Sequence, residues 1–114
     1  MANYQLNVRE VFQALADPTR LAVIGRLANG PQPVSELAKP FDMALPSFMK
    51  HLAVLEKADL VSTSKAGRTR TCRIRPEAMR EAASWLEKQH AIWEARTDRL
   101  ADYAEHLAQN GDSK

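Results

Sequence analysis

The apolar positions of residues 5–31 recur at helical spacing and are interrupted by turn residues. In "QLNVREVFQAL", residues 5–15, leucine and valine side chains fall roughly on one face, which predicts a first helix. Asp17 and Pro18 follow, and this pair is typical of a helix start, because the Asp side chain caps free N–H groups and proline has no N–H to leave unbonded. The second helix would end at "NGP", residues 29–31.

Two more helices are predicted in the next part of the chain. "PVSELAKPF" predicts a short helix with Ser35 as its N-cap, and Pro40 prevents its extension. The following helix would begin at Asp42 or Ala44 and end near residues 58–59. Its apolar residues follow the i, i+4, i+7 spacing of a core-facing stripe. That stripe consists of Phe48, Leu52 and Leu55.

The spacing of apolar and polar residues changes from helical to alternating after residue 59. "LVSTS" and "TRTCRIR" are rich in β-branched residues and alternate, so they predict two antiparallel strands. "KAGR" between them supplies the glycine that a hairpin turn requires. Pro76 then ends the second strand and begins a helical region that reaches about Leu107.

A seven-residue repeat of apolar residues runs along this last helix over four heptads, which indicates a helix–helix contact. The helix would be about 50 Å long at ~1.5 Å per residue, whereas a domain of this size has a radius of gyration of only ~13 Å. One small core cannot cover such a stripe, so the pattern predicts a homodimer to which the first helix contributes. The predicted dimer interface consists of Leu6, Met79, Leu86, His90, Trp93, Leu100 and Leu107.

Length and composition restrict the class of protein. A chain of 114 residues is enough for one domain, predicted at residues 1–108 with a flexible tail at 109–114. No apolar run approaches the ~18 residues of a membrane span, and the first residues lack the pattern of a signal peptide. Cys72 is the single cysteine, so no disulfide can form within the chain and the reducing cytoplasm is the expected compartment.

Positive charge is concentrated in the predicted hairpin. Residues 1–59 carry no net charge, and residues 76–114 carry −3. Residues 60–75 carry +5 and contain no acidic residue. Such a local basic patch is typical of a surface that binds phosphate groups.

The predicted elements occur in the order short helix, tight turn, longer helix and basic hairpin. This order predicts a helix-turn-helix with a wing. The fold class is therefore mainly α with a small two-stranded antiparallel wing, dimeric through the terminal helices. The longer helix would enter the major groove of an operator in double-stranded DNA, with its polar side outward and its N-terminal turn foremost. The predicted DNA-binding residues are Ala44, Leu45, Pro46, Ser47, Met49, Lys50, His51, Lys65, Arg68 and Arg70.

Residues 9–75 resemble the ArsR-type (ArsR/SmtB) winged-helix transcriptional regulators. The resemblance rests on "DPTRL" at 17–21, "SELA", "KHLAVLEKADLV" and the "GR" of the hairpin. It implies a homodimeric protein, usually a repressor, that binds an operator. The two recognition helices of such a dimer would lie about one helical turn apart on a pseudo-palindromic operator. In this family DNA affinity often responds to a metal ion or a redox signal.

The chain departs from the family pattern at the known sensor sites. "ELAKPFDM" has no Cys-x-Cys, no Asp-x-His occurs in the last helix, and Cys72 has no partner cysteine. The sequence therefore predicts no metal and no cofactor, and it leaves the inducer unknown. Leu45 and Met49 stand where the family often has Gln and Ser, so the DNA target cannot be inferred from the resemblance.

Two alternatives to a constitutive DNA-binding repressor remain open. The first is a repressor that responds to a metal or small molecule through an unfamiliar site. Such a site would use residues of the last helix, namely His90, His106, Asp102 or Glu94 for a metal and Trp85 or Trp93 for a small molecule. The second is a winged-helix module that binds another protein. No arrangement of catalytic residues is recognisable, so the chain is not expected to be an enzyme.

Overall fold

Five helices and three short strands make up the part of the chain that the structure describes. The structure is a computed structural model, and it describes the backbone of residues 4–112 and the side chains of residues 8–110. The described chain divides after Ala82 into two compact units. In order, the elements are α1 Tyr4–Leu15, α2 Pro18–Leu27, β1 Gln32–Pro33, α3 Val34–Ala38, α4 Leu45–Lys57, β2 Val61–Ala66, β3 Thr69–Ile74 and α5 Pro76–Asp112.

The predicted start of α2 is confirmed. Asp17 is the N-cap, and its carboxylate accepts a hydrogen bond from the backbone N–H of Arg20 at 3.0 Å. Pro18 occupies the first turn, where its missing N–H costs nothing. The helix ends at Leu27, and Gly30 follows with a φ of +127°, a conformation that favours glycine.

The start of α3 differs from the prediction. Ser35 is not the N-cap; the helix begins at Val34 after Pro33, and no side chain caps it. The reason is that Pro33 belongs to β1, whose extended backbone leads directly into the helix. The next helix, α4, has Ala44 as its N-cap, so the predicted start at Ala44 is confirmed and the alternative start at Asp42 is wrong.

The predicted antiparallel wing is present, and a third strand joins it. β2 pairs with β3 from Val61 opposite Ile74 to Ala66 opposite Thr69, and Gly67 makes the turn with a φ of +63°. β1 pairs with the other edge of β3, which gives the strand order β1-β3-β2. The sequence did not predict β1, because a strand of two residues has no periodicity to detect.

The core of the first unit lies where α1–α4, the sheet and the start of α5 meet. Phe48, Leu52 and Leu55 are 1%, 1% and 0% exposed, which confirms the predicted core-facing stripe of α4. They pack with residues from every other element of the unit except β1. The other members of the cluster are Val11, Ala14, Val23, Ile24, Leu27, Val34, Leu37, Leu60, Val61, Cys72, Ala78 and Ala82.

The second unit consists of α5 beyond Ala82, and its described side chains from Leu86 onward are all exposed. The helix is 37 residues long and ends at Asp112, five residues beyond the predicted end at Leu107. Residues 109–112 of the predicted tail are therefore helical, because no proline follows Leu107 to stop the helix. Along this unit Leu86, Trp93, Leu100 and Leu107 are 51%, 67%, 69% and 53% exposed.

Candidate nucleic-acid interface

The helix-turn-helix consists of α3, the turn at residues 39–44 and α4. Val34 and Leu37 anchor α3 in the core, and the buried stripe around Phe48 anchors α4. The rings of Phe41 and Phe48, with centroids 5.4 Å apart, hold the turn against α4. Because one face of α4 is buried, the opposite face is turned to solvent.

The exposed face of α4 begins at the N-terminus of the helix. Ala44, Leu45, Pro46, Ser47 and Lys50 are exposed, and Met49 is partly buried against the core. Ala44 has no side-chain group to cap the helix, so no side chain covers its first N–H groups. The helix dipole gives this end a partial positive charge.

His51 lies differently from the other predicted DNA-binding residues. It is partly buried, its Nδ1 lies 3.2 Å from Nη1 of Arg20, and the same nitrogen lies 3.7 Å from the carboxylate of Asp17. Arg20 also donates from Nε to the backbone carbonyl of Ala14 at 2.6 Å. His51 therefore connects α4 to the junction between α1 and α2.

This role of Asp17 and Arg20 could not be predicted from the sequence. The only available signal was the "DPTR" motif, which indicates a helix start but no long-range partner. The hydrogen bond from the N–H of Arg20 holds the pKa of Asp17 below its usual value, and the charges of His51 and Arg20 act in the same direction. Partial desolvation of the carboxylate opposes them.

Two cations of the wing, Lys65 and Arg70, lie on the strand face that continues the core. Lys65 lies opposite Arg70, two pairs of the register beyond Thr63 and Cys72, and therefore on the same strand face. Arg70 donates from Nη1 to Oγ1 of Thr63 at 3.2 Å, and Thr63 donates to the carboxylate of Glu56 in α4 at 3.2 Å. The wing is thus hydrogen-bonded to α4.

One groove brings the start of α4 and the wing together. It has a volume of about 480 Å³ and is open to solvent. We call it the α4–wing groove. Its lining residues come from α3, α4 and β3, and they are Val34, Ser35, Ala38, Leu45, Met49 and Arg70. The outward side of α4 and the basic hairpin therefore face the same side of the first unit.

The cations of this surface are not neutralised within the described part of the chain. Among residues 8–110, Lys50, Lys65, Arg68 and Arg70 form no ion pair, whereas Arg75 pairs with Asp59 at 3.3 Å. All four of these side chains are exposed. Like charges at directly opposed strand positions, such as 65 and 70, destabilise a hairpin. This cost is offset when an anion binds between them.

The described residues contain neither a reactive thiol nor a metal cluster. Cys72 is buried, and burial raises its thiol pKa to about 11, with a further contribution from Glu56. A thiol that remains protonated at neutral pH is a poor nucleophile and a poor redox sensor. No group of three His, Cys, Asp or Glu side chains suited to a metal occurs among these residues. Two candidates from the last helix form pairs along it, His90 with Glu94 at 3.4 Å and His106 with Asn110 at 2.9 Å.

The predicted dimer residues fall into three groups. Leu86, His90, Trp93, Leu100 and Leu107 are exposed on α5. Met79 is partly buried against the core of the first unit. Leu6 lies in α1, but its side chain lies outside the described residues.

None of the described helices combines the length and the apolar character that crossing a bilayer needs.

A helix-turn-helix that is anchored in the core by one face and followed by a basic hairpin defines a winged helix-turn-helix protein. The helix-turn-helix domain family matches residues 15–63. HTH-type transcriptional regulator Rv2034 of Mycobacterium tuberculosis is 37% identical over 101 residues, which cover 89% of each chain. Transcriptional repressor SdpR of Bacillus subtilis is 25% identical over 79 residues, covering 69% of this chain and 88% of SdpR.

Solved structures agree with these relatives. The crystal structure of an ArsR family transcriptional regulator, RHA00566, superposes with a TM-score of 0.76 at 56% identity, covering 82% of this chain and 97% of that one. The homodimeric winged helix-turn-helix DNA-binding domain of Mb0332 from Mycobacterium bovis superposes with a TM-score of 0.59 at 27% identity, covering 75% and 82%. The chain belongs to the ArsR family of winged helix-turn-helix transcriptional regulators. It is a DNA-binding regulator of transcription and not an enzyme.

Proposed function

We propose that the protein is a cytoplasmic homodimeric repressor that binds a pseudo-palindromic operator through α4 and the wing. The observation that carries this proposal is the α4–wing groove, where the exposed start of α4 and Arg70 lie on one surface. The unpaired cations Lys50, Lys65 and Arg68 extend the positive charge around it. Such a surface matches the phosphates that flank a major groove.

Each part of this surface has a defined task in the proposal. The exposed N-terminal turn of α4 enters the major groove, which admits one α-helix. Lys50 and the free N–H groups near Ala44 bind phosphate, and Ser47 donates to a phosphate or a base edge. Lys65, Arg68 and Arg70 bind the flanking backbone or the minor groove. His51 holds α4 against Arg20 and makes no DNA contact in this proposal.

The exposed apolar residues of the second unit support dimerisation. Leucine and tryptophan side chains at heptad spacing are costly to leave in water, and a second copy of the chain would cover them. The related domain of Mb0332 is homodimeric. Two copies of α4 would then meet half-sites about 34–36 Å apart, one helical turn of DNA.

Repression is the simplest consequence of such a dimer at a promoter, because it would occlude the polymerase. The related protein SdpR is a transcriptional repressor, which supports this direction of regulation.

The proposal is tested by measuring DNA binding of charge variants across a range of salt concentrations. An operator is first selected from random-sequence duplexes with the purified full chain. Substituting Lys50→Ala and Arg68→Ala together should weaken operator binding and reduce the slope of log affinity against log salt by about 0.9 per lost phosphate contact.

Two control variants accompany this measurement. Lys57→Ala removes another exposed cation, at the other end of α4 and away from the α4–wing groove, and should leave the slope unchanged. His51→Gln keeps a hydrogen-bond acceptor for Arg20 and should retain affinity. Unchanged binding by the Lys50/Arg68 variant would show that the protein uses a different surface.

A further inference from the structure

Most residues that line the α4–wing groove are apolar, which is unusual for a surface that is proposed to contact base edges. Leu45, the first residue of α4, is 56% exposed, and Met49 lies one turn further along the same helix. Val34 and Ala38 of α3 complete the apolar lining. Neither Leu45 nor Met49 can donate to or accept from a base.

No packing role within the first unit accounts for Leu45. It is absent from the buried core cluster and from the partly buried residues packed against that cluster, although its neighbour Phe48 is fully buried. A leucine left half in water loses part of the ~1.5–3 kcal/mol that its full burial would contribute. Its position at the foremost turn of α4 places it where a bound duplex would cover it.

The charged residues around the groove indicate which kind of ligand it binds. Arg70 lines it, Lys65 faces Arg70 across the hairpin, and Lys50 follows Met49 in α4. An apolar ligand or an apolar protein segment would leave these cations uncompensated. A DNA duplex matches both the cations and the apolar lining of the groove. Its phosphates pair with the cations, and its major groove presents one apolar group, the 5-methyl of thymine.

We propose that Leu45 and Met49 determine operator specificity by packing against thymine 5-methyl groups in the major groove. This inference rests on the proposed function, and it specifies the sequence class that α4 recognises. Each half-site would carry A·T pairs where the N-terminal turn of α4 enters. Ser47 and Lys50 would supply the polar contacts beside them.

Deoxyuridine tests the proposal, because it pairs as thymidine does and lacks only the methyl group. Thymidines of the selected operator are replaced one at a time, and binding is followed by fluorescence anisotropy at fixed salt. Replacement at one contacted position should weaken binding about fourfold, and replacement at both symmetry-related positions about fifteenfold. The other thymidines should be replaceable without effect.

Protein variants then assign the methyl contact to its side chains. For Leu45→Ala, replacing the thymidine that Leu45 contacts with deoxyuridine should no longer change the affinity. For Met49→Ala the same should hold at the thymidine that Met49 contacts. Met49→Leu should retain the difference in affinity between the thymidine and deoxyuridine operators. Val54→Ala is the matched control, since Val54 is an exposed apolar residue of α4 that lines another groove, and it should also retain the difference.

The outcomes separate this inference from the proposed function. Specific, salt-sensitive binding with no loss at any deoxyuridine would overturn methyl recognition and leave the operator-binding function intact. A methyl effect that persists in both Leu45→Ala and Met49→Ala would likewise overturn the assignment. A purified chain that binds no duplex would overturn the proposed function and this inference with it.

Discussion

The two units of the chain place the same residue type in opposite environments. In the first unit Leu52 and Leu55 are 1% and 0% exposed, whereas in the second unit Leu100 and Leu107 are 69% and 53% exposed. Both pairs belong to regular helical repeats, of 3.6 and 3.5 residues respectively. In the first unit the repeat meets a core from the same chain. In the second unit nothing in the described chain covers the repeat, and the proposed dimer would cover it with a second copy.

This contrast separates two sources of stability. Residues of the first unit are stabilised by packing that any single copy can form. In the proposed dimer, residues of the second unit would gain their burial on association, so their contribution would depend on protein concentration. Substitutions in the two units should therefore change different measurements.

Removing Phe48 should give the largest loss of folding stability. Phe48 is 1% exposed and touches both the turn and the core, so Phe48→Ala removes apolar burial and leaves a cavity. We expect the free energy of unfolding to fall by about 3–5 kcal/mol, measured by chemical denaturation at fixed protein concentration. Leu45→Ala, at an exposed position of the same helix, should change it by no more than about 0.5 kcal/mol. Equal losses would mean that α4 is not packed as described.

A charge in the second unit should instead weaken the proposed dimer. Leu100→Glu places a carboxylate at a heptad position that both copies of a dimer would bury. Losing two leucine contacts should weaken dimerisation at least about 100-fold, measured by sedimentation equilibrium. The exposed neighbour Ala101→Glu is the control and should leave the dimer intact. A Leu100→Glu protein that remains dimeric would exclude this stripe as the interface.

The smallest expected effect is a pH dependence at the junction of α1 and α2. The pKa of Asp17 is lowered in the folded state, chiefly by its bond from the N–H of Arg20. Its charge therefore stabilises the fold above the ordinary carboxyl value of 3.8, and the contribution is lost as the pH falls through the lower folded pKa.

Thermal unfolding of Asp17→Asn at several pH values measures this effect. At neutral pH the midpoint should lie below that of the unchanged protein, and the difference should shrink below pH 3.8. For Asp98→Asn, at an exposed position of the second unit, the midpoint difference from the unchanged protein should not depend on pH. A midpoint difference for Asp17→Asn that is independent of pH would rule out the charge as its cause.

Local patterns along the chain sufficed for most elements of the fold. Three of these patterns depend only on residues close in sequence, so they can be recognised without tertiary information. They are the cap at Asp17, the apolar stripe of Phe48, Leu52 and Leu55, and the glycine turn at Gly67. The two-residue strand β1 and the start of α3 depend on pairing with β3, which is about 40 residues away. Ser35 therefore resembled an N-cap in the sequence, although α3 begins one residue earlier, directly after the paired strand.

For the candidate site, the sequence determined which residues are basic, which are apolar and on which side of α4 they fall. That was enough to predict Lys50, Lys65, Arg68 and Arg70 as DNA contacts, all of which are exposed. Only the tertiary structure decided that Leu45, Met49 and Arg70 line one groove and that His51 turns toward Arg20. Helical and strand periodicities are properties of neighbouring residues, whereas a groove or a long-range hydrogen bond depends on how separate elements pack.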